Sequence, residues 1–115
     1  MDNIPILNKV YDILKWIIPR IEKFPRTQKF VLGDRLENSL LDLQQMLLVA
    51  LKVQDKARIL ELADAKLAEI KMLARLCTDL KYISLGQNRY LMAELIECGK
   101  MLGGWKRKII NHGQH

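Results

Sequence analysis

Apolar side chains recur along this chain at spacings of three and four residues, a pattern typical of helices with one buried face. The pattern predicts a first helix from about Pro5 to Phe24 and a second from Thr27 to about Val53. A third follows the break at Gln54–Lys56, and a fourth begins at Ser84. Amphipathic helices with short connections predict an all-α, antiparallel four-helix bundle.

Proline and glycine divide the first half of this pattern. Pro19 lacks the N–H that a helix requires, so we expect the first helix to bend or break there and its last turn to be displaced. Pro25 ends the helix, and Thr27 is the expected N-cap of the next one. Gly33 lowers helix propensity by roughly 1 kcal/mol relative to Ala, so we expect another backbone to approach closely there.

Two polar signals mark the later helix starts. Asp55 can cap the third helix, and Ser84 followed by Gln87 matches a capping box. Residues 1–110 are predicted to form the bundle domain, whereas residues 111–115 have no apolar content and are predicted to be a disordered tail.

The apolar stripes are wider than one small bundle needs. The apolar residues of the second helix lie on more than one of its faces, as shown by Leu40, Leu41, Leu43 and Met46–Leu48. Burial of this surplus predicts self-association.

The remaining apolar residues are interpreted as packing groups. Cys77 and Cys98 lie among apolar neighbours without metal-ligand spacing, and Trp16 and Trp105 are expected to pack rather than stack on bases. The same core role is expected for Met46, Met72, Met92 and Met101. Since no apolar run approaches the ~18 residues of a membrane span and no leader pattern opens the chain, we expect a soluble cytoplasmic protein.

No catalytic constellation is recognised, and we predict neither an enzyme, a metal site nor a cofactor. His112 and His115 lie in the predicted tail, where such a pair is usually incidental. Glu94 and Glu97 have the spacing of carboxylates in di-metal bundles but lack the accompanying histidines, so they are interpreted as a solvated face.

The formal net charge of +6 favours polyanions or acidic protein surfaces as partners. Cations concentrate around the first helix junction, in the second half of the third helix and near the C-terminus; a solvated face is the alternative for each cluster. Without a base-reading motif, clustered Lys and Arg predict phosphate contact without sequence preference. The candidate residues are Arg20, Lys23, Arg26, Lys29, Arg35, Lys71, Arg75, Lys106, Arg107 and Lys108.

Two segments resemble a known family. Phe24 to Arg35 reads FPRTQKFVLGDR, and Leu102 to Trp105 reads LGGW near the end of the last helix. Together with the helices between them, these segments resemble the accessory variability determinant (Avd) proteins of diversity-generating retroelements. Related bundle proteins encoded within ribosomal RNA genes, the intervening-sequence proteins, typically carry a SIP-x-NIAEG stretch where this chain has Leu40–Gln44, so the Avd branch is preferred.

The resemblance implies a four-helix bundle that assembles as a barrel-shaped homopentamer. It also implies a non-catalytic accessory protein that binds the retroelement reverse transcriptase and its template RNA and supports mutagenic cDNA synthesis. The matching cations are chiefly Arg20, Lys23, Arg26, Arg35 and Arg75. The alternative is a structural oligomeric bundle, or a protein of the intervening-sequence type, without a polymerase partner.

Overall fold

A computed structural model of the chain describes residues 4–111, and every regular element within that range is helical. Four long helices are joined by turns, and a short helical turn and a π-helical segment precede the second of them. The bounds are α1 (Ile4–Ile21), α2 (Arg26–Gln28), the π-helical segment (Lys29–Gly33), α3 (Asp34–Lys52), α4 (Lys56–Asp79) and α5 (Leu85–Asn111). The prediction of an all-α chain with four main helices is confirmed.

The long helices pack in a ring, because α1 and α4 each contact both α3 and α5. Short turns between consecutive helices make neighbours run in opposite directions. Each long helix contributes side chains with no solvent exposure to one core, such as Ile17, Leu40, Ile70 and Leu95. The molecule is 47 Å long and 23 × 21 Å in cross-section, so its two ends are well separated.

Helix α1 continues through Pro19 to Ile21, so the prediction that Pro19 detaches the last turn is wrong. Ile17 and Ile21, on either side of the proline, are both buried, and their packing holds this turn in the helix. The chain leaves α1 three residues before the predicted end at Phe24, through a turn in which the Phe24 N–H donates to the Ile21 carbonyl (2.9 Å).

The second predicted helix begins at Arg26, and Thr27 is not its N-cap. Pro25 precedes the first helical residue with φ −51° and ψ 140°, and no side chain caps this end. Proline suits this position because it has no N–H that would need a partner.

Between Lys29 and Gly33 the helix widens into a π turn, in which the Asp34 N–H donates to the Lys29 carbonyl. Gly33 is buried, and a Cβ built on it would lie 2.7 Å from Cγ2 of Ile21. The predicted close approach at Gly33 is confirmed, but a side chain makes it rather than a backbone. Turns of this type occur often at functional sites.

The turn between α3 and α4 is stabilised by a lysine. Asp55 occupies the predicted cap position, but its side chain makes no cap hydrogen bond, so that prediction is wrong. Instead, Lys56 Nζ donates to the carbonyl oxygens of Ala50 (2.7 Å) and Val53 (2.8 Å). These contacts provide donors for carbonyls at the end of α3.

The predicted capping box at the start of α5 is confirmed. The Ser84 N–H donates to Gln87 Oε1 (3.0 Å), and the Gln87 N–H donates to Ser84 Oγ (3.1 Å). Helix α5 extends to Asn111, so the first residue of the predicted tail is helical. His112 and His115 lie outside the described residues.

Most predicted packing groups are buried. Burial raises the pKa of the Cys77 thiol to about 11 and that of Cys98 to about 12. Trp105 is buried, Trp16 packs against the core, and Met46, Met92 and Met101 do the same. Met72 is 63% exposed, so its assignment to the core was wrong: it lies on the outer face of α4.

Large apolar side chains also lie at the surface of α3 and α4. Val49, Val53, Ile59 and Leu62 line a groove of about 260 Å³ beside the turn between these helices. Other exposed apolar residues of these two helices are Leu41, Leu48, Met72 and Leu76, and Leu80 follows directly after α4. No helix within residues 4–111 is long and apolar enough to cross a membrane.

Candidate nucleic-acid interface

The fold brings the end of α1, residues 22–33 and the α4–α5 turn to one end of the bundle, which we call the junction end. Two aromatic rings pack together where these segments meet. The ring centroid of the buried Phe24 is 5.6 Å from that of Tyr82 in the α4–α5 turn. The cations predicted around Pro25 therefore lie on a segment that the buried Phe24 side chain anchors to the core.

Arg20 is held against the side of α1. Its Nη1 donates to the Trp16 carbonyl (2.7 Å), and its guanidinium carbon lies 4.1 Å from the Trp16 ring centroid. The Trp16 ring in turn packs on Tyr90 of α5, 4.7 Å between centroids. The Nε of Arg20 is buried and has no hydrogen-bond acceptor among the described residues, so the Arg20 side chain retains unused donor capacity.

Lys23 and Arg26 are the freely presented cations of the junction. Both are exposed, and neither has a carboxylate within salt-bridge distance in the described part of the chain. Their charges are thus available to an external anion.

Lys29 and Arg35, two of the candidate cations, each pair with a carboxylate. Lys29 pairs with Glu22, and Arg35 donates through Nε (3.2 Å) and Nη2 (2.8 Å) to Oε2 of Glu69 on α4. Glu22 is a near neighbour of Lys29 in sequence, whereas Glu69 is 34 positions from Arg35 and could not be inferred from the residues around it. Arg35 therefore forms a contact between α3 and α4.

The Glu69 carboxylate also binds a second cation. Lys66 Nζ donates to Glu69 Oε1 (2.9 Å) and lies 3.8 Å from Asp42 of α3. The hydrogen bond from Lys66, followed by that from Arg35, lowers the pKa of Glu69 below its ordinary value of 4.5. This network joins α3 to α4 across the surface.

Lys71 and Arg75 lie one helical turn apart on α4. Arg75 is exposed, whereas Lys71 is half-buried. The Nζ of Lys71 lies beside Gly99 of α5, 3.8 Å from where a Cβ of residue 99 would be. Neither pairs with a carboxylate within residues 4–111, and Arg75, near the end of α4, extends the positive surface of the junction end.

The C-terminal cations lie at the opposite end of the molecule. Lys106 pairs with Glu61 (2.6 Å) and Asp64 (3.2 Å) of α4, and hydrogen bonding to Glu61 raises the pKa of Lys106 above 10.5. The charge of Lys106 is therefore balanced by acids of α4. Arg107 and Lys108 are exposed, and the ten candidate residues do not form one continuous surface.

Sequence reasoning missed two cations of the junction end. Lys81 lies in the α4–α5 turn with φ 66°, and Arg89 follows in the first turns of α5; both are exposed. The predicted antiparallel order of the helices contained the signal, because it returns this turn to the first junction.

The junction end carries an excess of positive charge, which attracts phosphate groups. Its cations outnumber the nearby acids, Glu22, Asp34 and Asp79, and guanidinium and ammonium groups neutralise phosphates without reading base sequence. Among residues 4–111, no three His, Cys, Asp or Glu side chains form a group that could hold a metal ion.

Comparison with known proteins identifies a family. A family model described as bAvd-like matches residues 5–109, which span all four long helices and both ends of the bundle. A search of curated proteins found no match.

Proposed function

The chain belongs to the bAvd-like family, and on that premise we propose that it is a non-catalytic accessory protein of a diversity-generating retroelement. It binds the retroelement reverse transcriptase and template RNA, and so supports mutagenic cDNA synthesis. The family match over residues 5–109 is the observation that carries this proposal.

The charge distribution supports a role for the junction end in these contacts. Lys23, Arg26 and Arg75 are exposed and have no carboxylate partner among residues 4–111, unlike Arg35 and Lys106. Association with RNA through such cations releases counterions and falls steeply with salt, with little dependence on base sequence. We assign Lys23, Arg26 and Arg75 the main role, with Arg20, Lys29, Lys71, Arg107 and Lys108 as further contacts.

Self-association is a further part of the proposal. The exposed apolar groove of Val49, Val53, Ile59 and Leu62 supports burial against a second copy, because a symmetric oligomer covers such surface. The resemblance to Avd proteins sets the number at five. We place the oligomer in the cytoplasm, where its two buried thiols remain reduced.

The structural alternative is favoured by one observation. Arg35 and Lys106 pair with carboxylates of α4, so part of the positive charge serves the fold itself. A purely structural bundle predicts that the remaining cations are dispensable for any polymerase contact.

Reconstitution tests the proposal. The reverse transcriptase of the proposed retroelement is incubated with its template RNA, with and without the purified protein. The cDNA is quantified, and misincorporation is measured by sequencing. We expect mutagenic cDNA to depend on the protein. Equal cDNA in both reactions would contradict the accessory function, provided the protein is folded by circular dichroism.

A further inference from the structure

A small pocket opens at the junction end between the last turn of α1 and the first turn of α5. Its volume is about 210 Å³, below the 300–1,000 Å³ of pockets for drug-sized ligands. The lining residues are Pro19, Arg20, Lys23, Tyr82 and Gln87. The pocket therefore suits a compact group rather than an extended ligand.

The side chains that line this pocket offer mainly hydrogen-bond donors. Arg20 and Lys23 provide only donors, and no carboxylate is among the lining residues. The carbonyl oxygen of Gln87 is occupied by the Ser84 N–H of the capping box, which leaves its NH₂ group as the free end. Tyr82 adds a hydroxyl that can donate.

Two further features favour an anion. Within the described residues the Arg20 guanidinium makes one hydrogen bond, from Nη1 to the Trp16 carbonyl, so the group retains donors for an oxygen-rich ligand. Gln87 lies in the first turn of α5, whose dipole is positive at this end.

We propose that this pocket binds a single phosphate group. Phosphate offers several acceptor oxygens and a negative charge, which match two cations and two neutral donors. Its source is a terminal or internal phosphate of RNA, or a free phosphate; the RNA sources rest on the proposed function, whereas the pocket chemistry does not.

The capping box supplies a sharp variant. Gln87→Glu keeps the box, because glutamate bonds the cap N–H as glutamine does, but it places a carboxylate at the pocket. Gln45→Glu makes the same charge change at an exposed position of α3. Lys23→Gln removes one pocket cation from an exposed turn and gives an independent test should Gln87→Glu fail to fold.

The measurement is phosphorus NMR titration of inorganic phosphate at constant chloride. We expect Gln87→Glu and Lys23→Gln to weaken binding by at least about tenfold and Gln45→Glu to leave it within about twofold of the unmodified protein. Equal phosphate binding by Gln87→Glu and Gln45→Glu, or no binding by the unmodified protein, would refute the proposal that this pocket binds phosphate.

Two RNA probes of one sequence, with and without a terminal phosphate, distinguish the sources. A preference for the phosphorylated probe that Gln87→Glu abolishes supports a terminal phosphate, and an equal loss for both probes supports an internal one. Phosphate binding that survives when neither RNA binds would sustain the pocket as a free-phosphate site and contradict the proposed function instead.

Discussion

Ile21 occupies the space that a side chain at position 33 would need, since a Cβ on Gly33 would lie 2.7 Å from Ile21 Cγ2. Ile21 is buried, and Cγ2 is attached directly to its Cβ, so the methyl group cannot swing away without repacking the core. This contact fixes the end of α1 against the π-helical segment, and with it the geometry of the junction end.

Gly33→Ala should therefore destabilise the protein. Overpacking costs about 1–3 kcal/mol, only partly offset by the higher helix propensity of Ala. Gly86→Ala is the control, because a Cβ there meets no atom within 4 Å, and it should be neutral or stabilising. Urea denaturation at one protein concentration measures both; a Gly33→Ala variant as stable as Gly86→Ala would show that the contact is not restrictive.

The sequence predicted the helices because their signals are local. The spacing of apolar residues and the Ser84–Gln87 capping box each involve residues only a few positions apart. Both correctly indicated helices that the structure contains. The local rule failed at Pro19, where burial of Ile17 and Ile21 outweighed the missing hydrogen bond. The π-helical segment escaped prediction because its three consecutive apolar residues, Phe30, Val31 and Leu32, do not reveal the one-residue shift in backbone hydrogen bonding.

The candidate site was less predictable because charge pairing is long-range. Arg35 meets an acid 34 positions away, and Lys106 one 42 positions away. Counting acids near each cation in sequence could not reveal these partners. Lys23 and Arg26, by contrast, are exposed and unpaired within residues 4–111, as their local surroundings suggested.

The Glu69 network predicts acid-sensitive stability. Since the pKa of Glu69 is lowered in the folded protein, its stabilisation is fully present above 4.5 and is lost as pH falls through the lowered value. Glu69→Gln should make Tm fall less steeply on acidification below about pH 5. Glu97→Gln, on the exposed side of α5, is the charge-matched comparison; identical pH profiles for Glu69→Gln and the unmodified protein would rule out this role.

Apolar surface on α3 and α4 predicts an oligomer. Light scattering should give about five times the 13.4 kDa chain mass. Replacing Val49 and Leu62 together by Gln should reduce that mass, whereas Leu85→Gln, at a 76% exposed position on α5, should not. A mass of 13.4 kDa for the unmodified protein at micromolar concentration would refute self-association.

Binding of RNA should be electrostatic and insensitive to sequence. Unrelated oligonucleotides should bind similarly, and affinity should fall linearly with salt on logarithmic axes. Arg26→Ala with Arg75→Ala should reduce that slope by about 1.4, the value for two single-strand phosphate contacts. Lys52→Ala with Lys100→Ala removes equal charge elsewhere; an equal slope change in both double variants would indicate net charge rather than the junction end.

Capture of the cognate reverse transcriptase tests the central claim most directly. The Arg26→Ala, Arg75→Ala double variant is compared with Arg107→Ala, Lys108→Ala, which loses the same charge at the opposite end of the bundle. Both should keep full helicity and oligomer mass, because exposed substitutions usually change stability by less than ~0.5 kcal/mol. With and without template RNA, we expect the first variant to lose polymerase capture and the second to retain it. Full capture by the Arg26 and Arg75 variant, or equal loss by both variants, would contradict a polymerase contact at the junction end.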